Sequence, residues 1–204
     1  MMLNQFEKKL VGHPVRRWFQ QQVEAKLLLS LFDYGPGNIR SALEIGCGFG
    51  HGITLLRHHF GAQQVTGIDL DPDLVHHCAV KHSDDAQVRV LQGDAIALDF
   101  ADREFDLISN FAVFHHIPDW QLAIKECFRV LKPGGVFLLE DLYRRAICNP
   151  LSQKLFVHPQ QNRFNHQQLL SQLEHSGFLV RQERQVLDLA GMILVQKPFT
   201  VVAD

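Results

Sequence analysis

Leu43-Glu44-Ile45-Gly46-Cys47-Gly48-Phe49-Gly50 is the stretch that decides how this chain is read. It continues a short apolar run, Ala42-Leu43-Glu44-Ile45, that reads as a strand, and it leads into residues 51–60, which read as a helix. At such a junction the free backbone N–H groups and the positive end of the helix dipole face whatever binds there. Glycines permit the tight turn and let a ligand approach the backbone with no Cβ in the way. Alone, a glycine-rich turn is a weak signal, because the same residues also serve plain structural turns.

Working outward, short apolar runs alternate with helical stretches. Val65-Thr66-Gly67-Ile68 reads as a second strand, and Asp71 then caps a helix that begins at Pro72 and runs to about His82. Val88-Arg89-Val90-Leu91 and Phe105-Asp106-Leu107-Ile108 read as the third and fourth strands. Asp119 is positioned to cap the next helix, which is expected to turn Leu122, Ala123, Cys127, Val130 and Leu131 inward. Lys132-Pro133-Gly134-Gly135 ends that helix and opens a fifth strand, Val136 to Glu140. Alternating elements with short connections imply right-handed crossovers and a parallel sheet covered on both faces.

Beyond the fifth strand, Asn165, Gln168, Phe164 and Leu169 have the spacing of a capping box with a hydrophobic staple, and Gly177 is a stop signal. Two closing strands, about 178–186 and 192–195, are separated by a short turn and predict an antiparallel pair. Upstream, Pro14 to about Phe32 predicts a helix stopped by Gly35, with Val15, Trp18, Phe19, Val23, Leu27 and Leu31 on one apolar face. The 204 residues carry no repeat or linker and read as a single domain over 1–204. Within it, residues 1–35 form opening helices and a candidate lid, 41–140 a ligand-binding core, and 142–164 a candidate acceptor lid.

Composition narrows the classes. Apolar residues make up 46% of the chain and the formal net charge is −2, so no basic field speaks for a nucleic-acid partner. No apolar stretch reaches the roughly 18 residues of a membrane span. The first residues lack a secretory h-region, which predicts the cytoplasm. Cys47, Cys78, Cys127 and Cys148 are scattered without a C-x-x-C pair and read as reduced thiols. The 12 histidines include the neighbouring pairs His58-His59, His76-His77 and His115-His116. Adjacent helical residues point about 100° apart, so these pairs are poor chelates and no metal is expected.

Acids follow the strands as the glycine loop does. Asp69 ends the second strand, where a carboxylate can accept ribose hydroxyls, and Asp94 follows the third in Gln92-Gly93-Asp94-Ala95. With Glu44 to Gly50, Asp69, Gly93-Asp94-Ala95, Phe105-Asp106 with Asn110, and Leu131 to Gly135, residues 41–140 resemble the class I S-adenosylmethionine-dependent methyltransferases, in particular the small ubiquinone/menaquinone-type members.

That resemblance implies a doubly wound, seven-stranded α/β sheet of order 3-2-1-4-5-7-6 with strand seven antiparallel. It implies S-adenosylmethionine as cofactor and transfer of its methyl group to an acceptor. Glu44 would face the cofactor's ammonium, Gly46, Cys47 and Gly48 would pass close to its methionine and ribose, and Asp69 would hold the ribose. Leu70 would pack on adenine, Asp94 and Ala95 would read its edge, and Asn110 and Phe111 would line the floor beside the sulfonium. Without a large inserted domain, a small-molecule acceptor is expected. The oligomeric state is left open.

Two rival readings stand beside it. A dehydrogenase G-x-G-x-x-G would fall on Gly46, Gly48 and His51, and His51 is not glycine. A non-catalytic cofactor-binding or partner-binding module would share every motif. Candidate general bases are His115, His116, Asp141, Tyr143 and His158, although methyl transfer from a sulfonium draws largely on geometry. The 142–164 segment includes Tyr143, and Arg144, Arg145, Lys154 and Arg163 give it a basic character, which reads as a solvated loop, with contact to an anionic acceptor as the alternative.

Overall fold

The structure is a computed structural model, and it describes residues 24–149, 152 and 161–199. Its elements are α1 (Ala25–Leu29), β1 (Ser41–Ile45), α2 (His51–His58), β2 (Gln64–Asp69), α3 (Pro72–Lys81), β3 (Val88–Gln92) and β4 (Phe105–Phe111). After a 3-10 turn at Phe114–His116 come α4 (Trp120–Val130), β5 (Leu131–Leu142), α5 (Arg144–Ile147), α6 (His166–His175), β6 (Leu179–Val186) and β7 (Ala190–Gln196). The strands form one sheet of order β3-β2-β1-β4-β5-β7-β6. The pairs β1–β2, β2–β3, β1–β4 and β4–β5 are parallel, while β7 runs antiparallel to both β5 and β6. The expected class, order and strand direction are all present.

Alternation along the strands assigns the two faces. Leu43 and Ile45 join a cluster with Ile124, Cys127 and Val130 of α4 and Leu169 and Leu173 of α6. Ala42, one residue out of phase, joins Ile53, Leu55 and Leu56 of α2 and Cys78 of α3 on the other face. Chain order reverses between β1 and β4, with Ile45 opposite Asn110. A crevice at the carboxyl ends of the strands is therefore forced at this switch point.

Local signals set the helix ends. Asp71 accepts from the Asp73 N–H at 3.0 Å, with Pro72 as first residue of α3. Asn165 and Gln168 form the capping box of α6, and Phe164 and Leu169 are buried in one cluster. Asp119 sits at the N-cap of α4 without a side-chain cap bond, contrary to expectation. Leu122 is another correction: it is 46% exposed, because the buried face runs through Trp120, Ala123, Ile124 and Cys127 at i, i+3, i+4 and i+7 and leaves Leu122 out of phase. On α1, Leu27 is 41% exposed while Ala25 and Leu28, with Leu31 just beyond the helix, are buried among Ala42, Leu55, Leu138 and Leu194. The described end of the opening helix thus completes the cover of one sheet face. Val15, Trp18, Phe19 and Val23 lie outside the described residues, as do Pro150, Lys154, His158 and Pro159.

Candidate functional site

The turn after β1 is built on left-handed backbone. Gly46, Gly48 and Gly50 have φ of 69°, 50° and 70°, a region that L side chains enter at a cost. The three differ in what surrounds them. A Cβ on Gly46 would stand 2.5 Å from Val113, and one on Gly50 would stand 2.7 Å from Cys78 and His82. A Cβ on Gly48 would have nothing nearer than the Gly46 carbonyl at 4.0 Å, so Gly48 borders open space.

Glu44 is 3% exposed beneath this turn. One carboxylate oxygen accepts the Ile53 N–H at the start of α2; Oε2 is buried with no hydrogen-bond partner. Burial, first of all, holds its carboxyl well above the usual range; Cys78 and Asp69 add to this and Lys81 opposes it. An orphaned buried carboxylate oxygen fits a cationic ligand group. The ammonium implied by the sequence resemblance is such a group.

Across the turn, Asp69 ties two loops together. Its Oδ2 accepts from the Gly48 N–H and its Oδ1 from the Asp71 N–H, each at 2.9 Å. Each oxygen keeps a lone pair for a hydroxyl donor. Burial, opposed by those backbone bonds, raises its pKa. Leu70 is 41% exposed and offers an apolar surface, with its carbonyl accepting from Gln92 Nε2 at 3.3 Å. Asp94 is exposed, and its Oδ1 accepts from the Ile96 N–H at 3.1 Å; Ala95 beside it is buried. Cys47 directs its thiol away from the turn, into the core against Cys78, leaving its backbone to border the site.

Asn110 is fully buried and engaged. Its amide donates to Asp141 Oδ2 at 2.8 Å and the Glu140 carbonyl at 3.2 Å, and it accepts from the Val113 N–H at 3.1 Å. Its side chain therefore shapes the turn after β4, where Ala112 takes a φ of 59°. Phe111, half-buried, packs beside Gly52.

Asp141 is the hub at the end of β5. It accepts from Asn110 Nδ2, the Phe114 and Leu142 N–H groups, and His115 Nδ1 at 2.6 Å. Four donors fix it as an acceptor rather than a mobile base. Tyr143 is fully buried, its hydroxyl 2.7 Å from His166 Nδ1, and burial pushes its pKa up. His115 and His116 stack with ring centroids 4.1 Å apart. Two motif residues lie at the opposite end of the sheet: Asp106 accepts from Lys132 Nζ at 2.7 Å and from the Ser41 N–H at 2.9 Å.

Some site features gave little sequence signal. Gly52 leaves room for the Glu44 carboxylate, and only its place in the first turn of the helix after the glycine loop hinted at this. Arg163, read as part of a solvated basic loop, is 6% exposed. Among the described residues no group of three His, Cys, Asp or Glu could hold a metal ion, and no helix is long and apolar enough to cross a membrane.

Residues 43–139 match a family model described as a methyltransferase domain. A fatty-acid O-methyltransferase of Mycolicibacterium smegmatis is 38% identical over 102 residues, 50% of this chain and 37% of that protein. A 2-methyl-6-phytyl-1,4-hydroquinone methyltransferase of Synechocystis is 34% identical over 110 residues, 54% of this chain and 34% of that protein. The match thus spans little more than a third of each relative's length. Among solved structures, a chain from the complex of the Haloferax volcanii Trm112 methyltransferase activator with a methyltransferase superposes with a TM-score of 0.78. It covers 96% of both chains at 18% identity, a likeness of fold.

Proposed function

We propose, from the match of residues 43–139 to a methyltransferase domain, that this chain is a class I S-adenosylmethionine-dependent methyltransferase that methylates a small-molecule acceptor. The observation that carries the proposal is the buried, partnerless Oε2 of Glu44 beneath a glycine turn whose Gly48 borders open space. When bound, S-adenosylmethionine supplies a methyl carbon activated by its sulfonium.

The residues divide the binding work. Glu44 accepts the ammonium, Asp69 accepts ribose hydroxyls, and Gly46, Cys47 and Gly48 offer backbone at close range. Leu70 packs on adenine while Asp94 and Ala95 meet its edge. Asn110, locked to Asp141, holds the turn that carries Phe111 beside the reacting centre. His115, oriented by Asp141, positions the acceptor. Fixing an acceptor in line supplies much of the acceleration such a displacement needs. The small-molecule class is supported by the relatives, which are named for a fatty acid and a hydroquinone.

Calorimetry with S-adenosylhomocysteine, S-adenosylmethionine and NAD⁺ tests the cofactor, followed by an acceptor screen for S-adenosylhomocysteine formation. Binding of the two adenosyl compounds with no comparable NAD⁺ signal is expected. NAD⁺ binding alone would overturn the reading, and adenosyl binding with no turnover on any acceptor would favour a non-catalytic module.

A further inference from the structure

Arg163 is 6% exposed, yet its Nη1 and Nη2 are both buried without a hydrogen-bond partner. Only Nε is engaged, donating to the Gln161 carbonyl at 3.0 Å. Buried cations are almost always paired, so two orphaned guanidinium nitrogens call for a reason.

The backbone around them is held on both sides. The Asn162 carbonyl accepts from Trp120 Nε1 at 2.9 Å, and the Phe164 carbonyl accepts from the Arg144 N–H at 2.8 Å. The Phe164 ring lies 4.8 Å from Trp120 and 6.2 Å from Tyr143, centroid to centroid. Burial lowers the pKa of Arg163, while Cys148 and Asp141 oppose that. Asp141 does not neutralise it, since both of its oxygens are already occupied by four donors.

We propose that the Arg163 guanidinium, on a segment tied to Arg144 at the carboxyl edge of the sheet, binds the carboxylate of a small monocarboxylic acid that serves as the methyl acceptor. This rests on the methyltransferase reading and adds a substrate class to it. The planar fork of a guanidinium matches a carboxylate with two parallel hydrogen bonds. A single guanidinium neutralises one negative charge, so a monoanion fits better than a dianion such as phosphate.

The test uses the full chain saturated with S-adenosylhomocysteine, whose binding is measured first. Its failure would strike the methyltransferase reading rather than this one. Hexanoate and benzoate, their neutral amides, and inorganic phosphate are then titrated by calorimetry into the wild type, Arg163→Gln and Arg163→Met. The carboxylates are expected to bind the wild type at least tenfold better than the amides or phosphate, and both substitutions should erase that preference. S-adenosylhomocysteine affinity should stay the same in the variants. Unliganded melting temperatures should be unchanged or higher, because a partnerless buried charge has gone. No carboxylate binding at millimolar concentration, or a preference for phosphate, overturns the proposal. Loss of S-adenosylhomocysteine affinity in the variants would assign the guanidinium to the cofactor's own carboxylate. A large fall in melting temperature would make Arg163 structural. Either result also overturns it.

Discussion

The carboxylate of Glu44 occupies the space that a β-carbon on Gly52 would need. A strand acid is thereby buried under the first turn of α2, where one oxygen caps the Ile53 N–H and the other is left for a ligand. Gly52→Ala should displace that carboxylate and weaken S-adenosylhomocysteine binding, a change read by calorimetry. Wild-type affinity in Gly52→Ala would show that the Glu44 position is unimportant to the ligand.

Charge at Glu44 gives a pH signature. Its folded pKa is raised chiefly by burial, so the unliganded protein holds this proton more tightly than the unfolded chain does. Stability from this group therefore falls as pH rises from the unfolded value, about 4.3, toward the raised folded value. Glu44→Gln should raise the melting temperature of the unliganded protein at neutral pH. A bound ammonium favours the ionised form, so wild-type affinity should weaken as pH drops through that raised pKa. In Glu44→Gln the affinity should be lower and flat with pH. A parallel pH profile in wild type and variant would remove Glu44 from the ligand.

Gly46 and Gly48 should separate folding from binding. Gly46→Ala puts a Cβ 2.5 Å from Val113 on strained backbone, so its melting temperature should fall by several degrees. Gly48→Ala meets nothing nearer than 4.0 Å and carries only the cost of its left-handed backbone, so it should lose less stability than Gly46→Ala while losing ligand affinity. Asp69→Ala should lose affinity too, together with the loop bonds from the Gly48 and Asp71 N–H groups. Losing charge-assisted bonds should cost about 1.5–3 kcal/mol of S-adenosylhomocysteine affinity.

Much of this was legible because backbone requirements leave local marks. Glycines with positive φ, the Asp71 and Asn165 caps and the short apolar runs marked the elements, while the strand order came from the family resemblance alone. Side-chain burial carried less signal. Leu27 and Leu28 are adjacent and equally apolar, and only packing against Leu55 and Leu194 decides that Leu28 goes in. The β6–β7 turn gives Leu187 and Asp188 φ of 51° and 54° without glycine or asparagine to announce it. Arg163 reads as a solvated cation because nothing in its neighbours reveals that Trp120, Tyr143 and Phe164 close around its segment.

Asp106 should report stability and not binding. Burial works against its charge, but bonds from Lys132 and Ser41 prevail and hold its pKa below the ordinary value. Its contribution is therefore present above the unfolded carboxylate range and lost as pH falls through the depressed value. Acid unfolding of Asp106→Asn should lose steepness below about pH 4, where that proton would otherwise be taken up. S-adenosylhomocysteine affinity at neutral pH should equal the wild type, since the Lys132–Asp106 contact lies at the far end of the sheet. A tenfold affinity loss would place Asp106 in the site.

The opening helix offers the last test, because its described end covers a sheet face. Leu28 is fully buried against residues of α2, β1, β5 and β7, so truncation leaves a cavity between the helix and the sheet. Leu28→Ala should cost about 2–5 kcal/mol in urea unfolding, the range for a buried leucine. Leu27→Ala, one residue away and 41% exposed, should stay within about 0.5 kcal/mol. If the helix served only as a detachable cover over the cofactor, Leu28→Ala would instead leave unfolding unchanged and weaken S-adenosylhomocysteine binding. Comparable effects at both positions would mean that the inward face is assigned one residue out of phase.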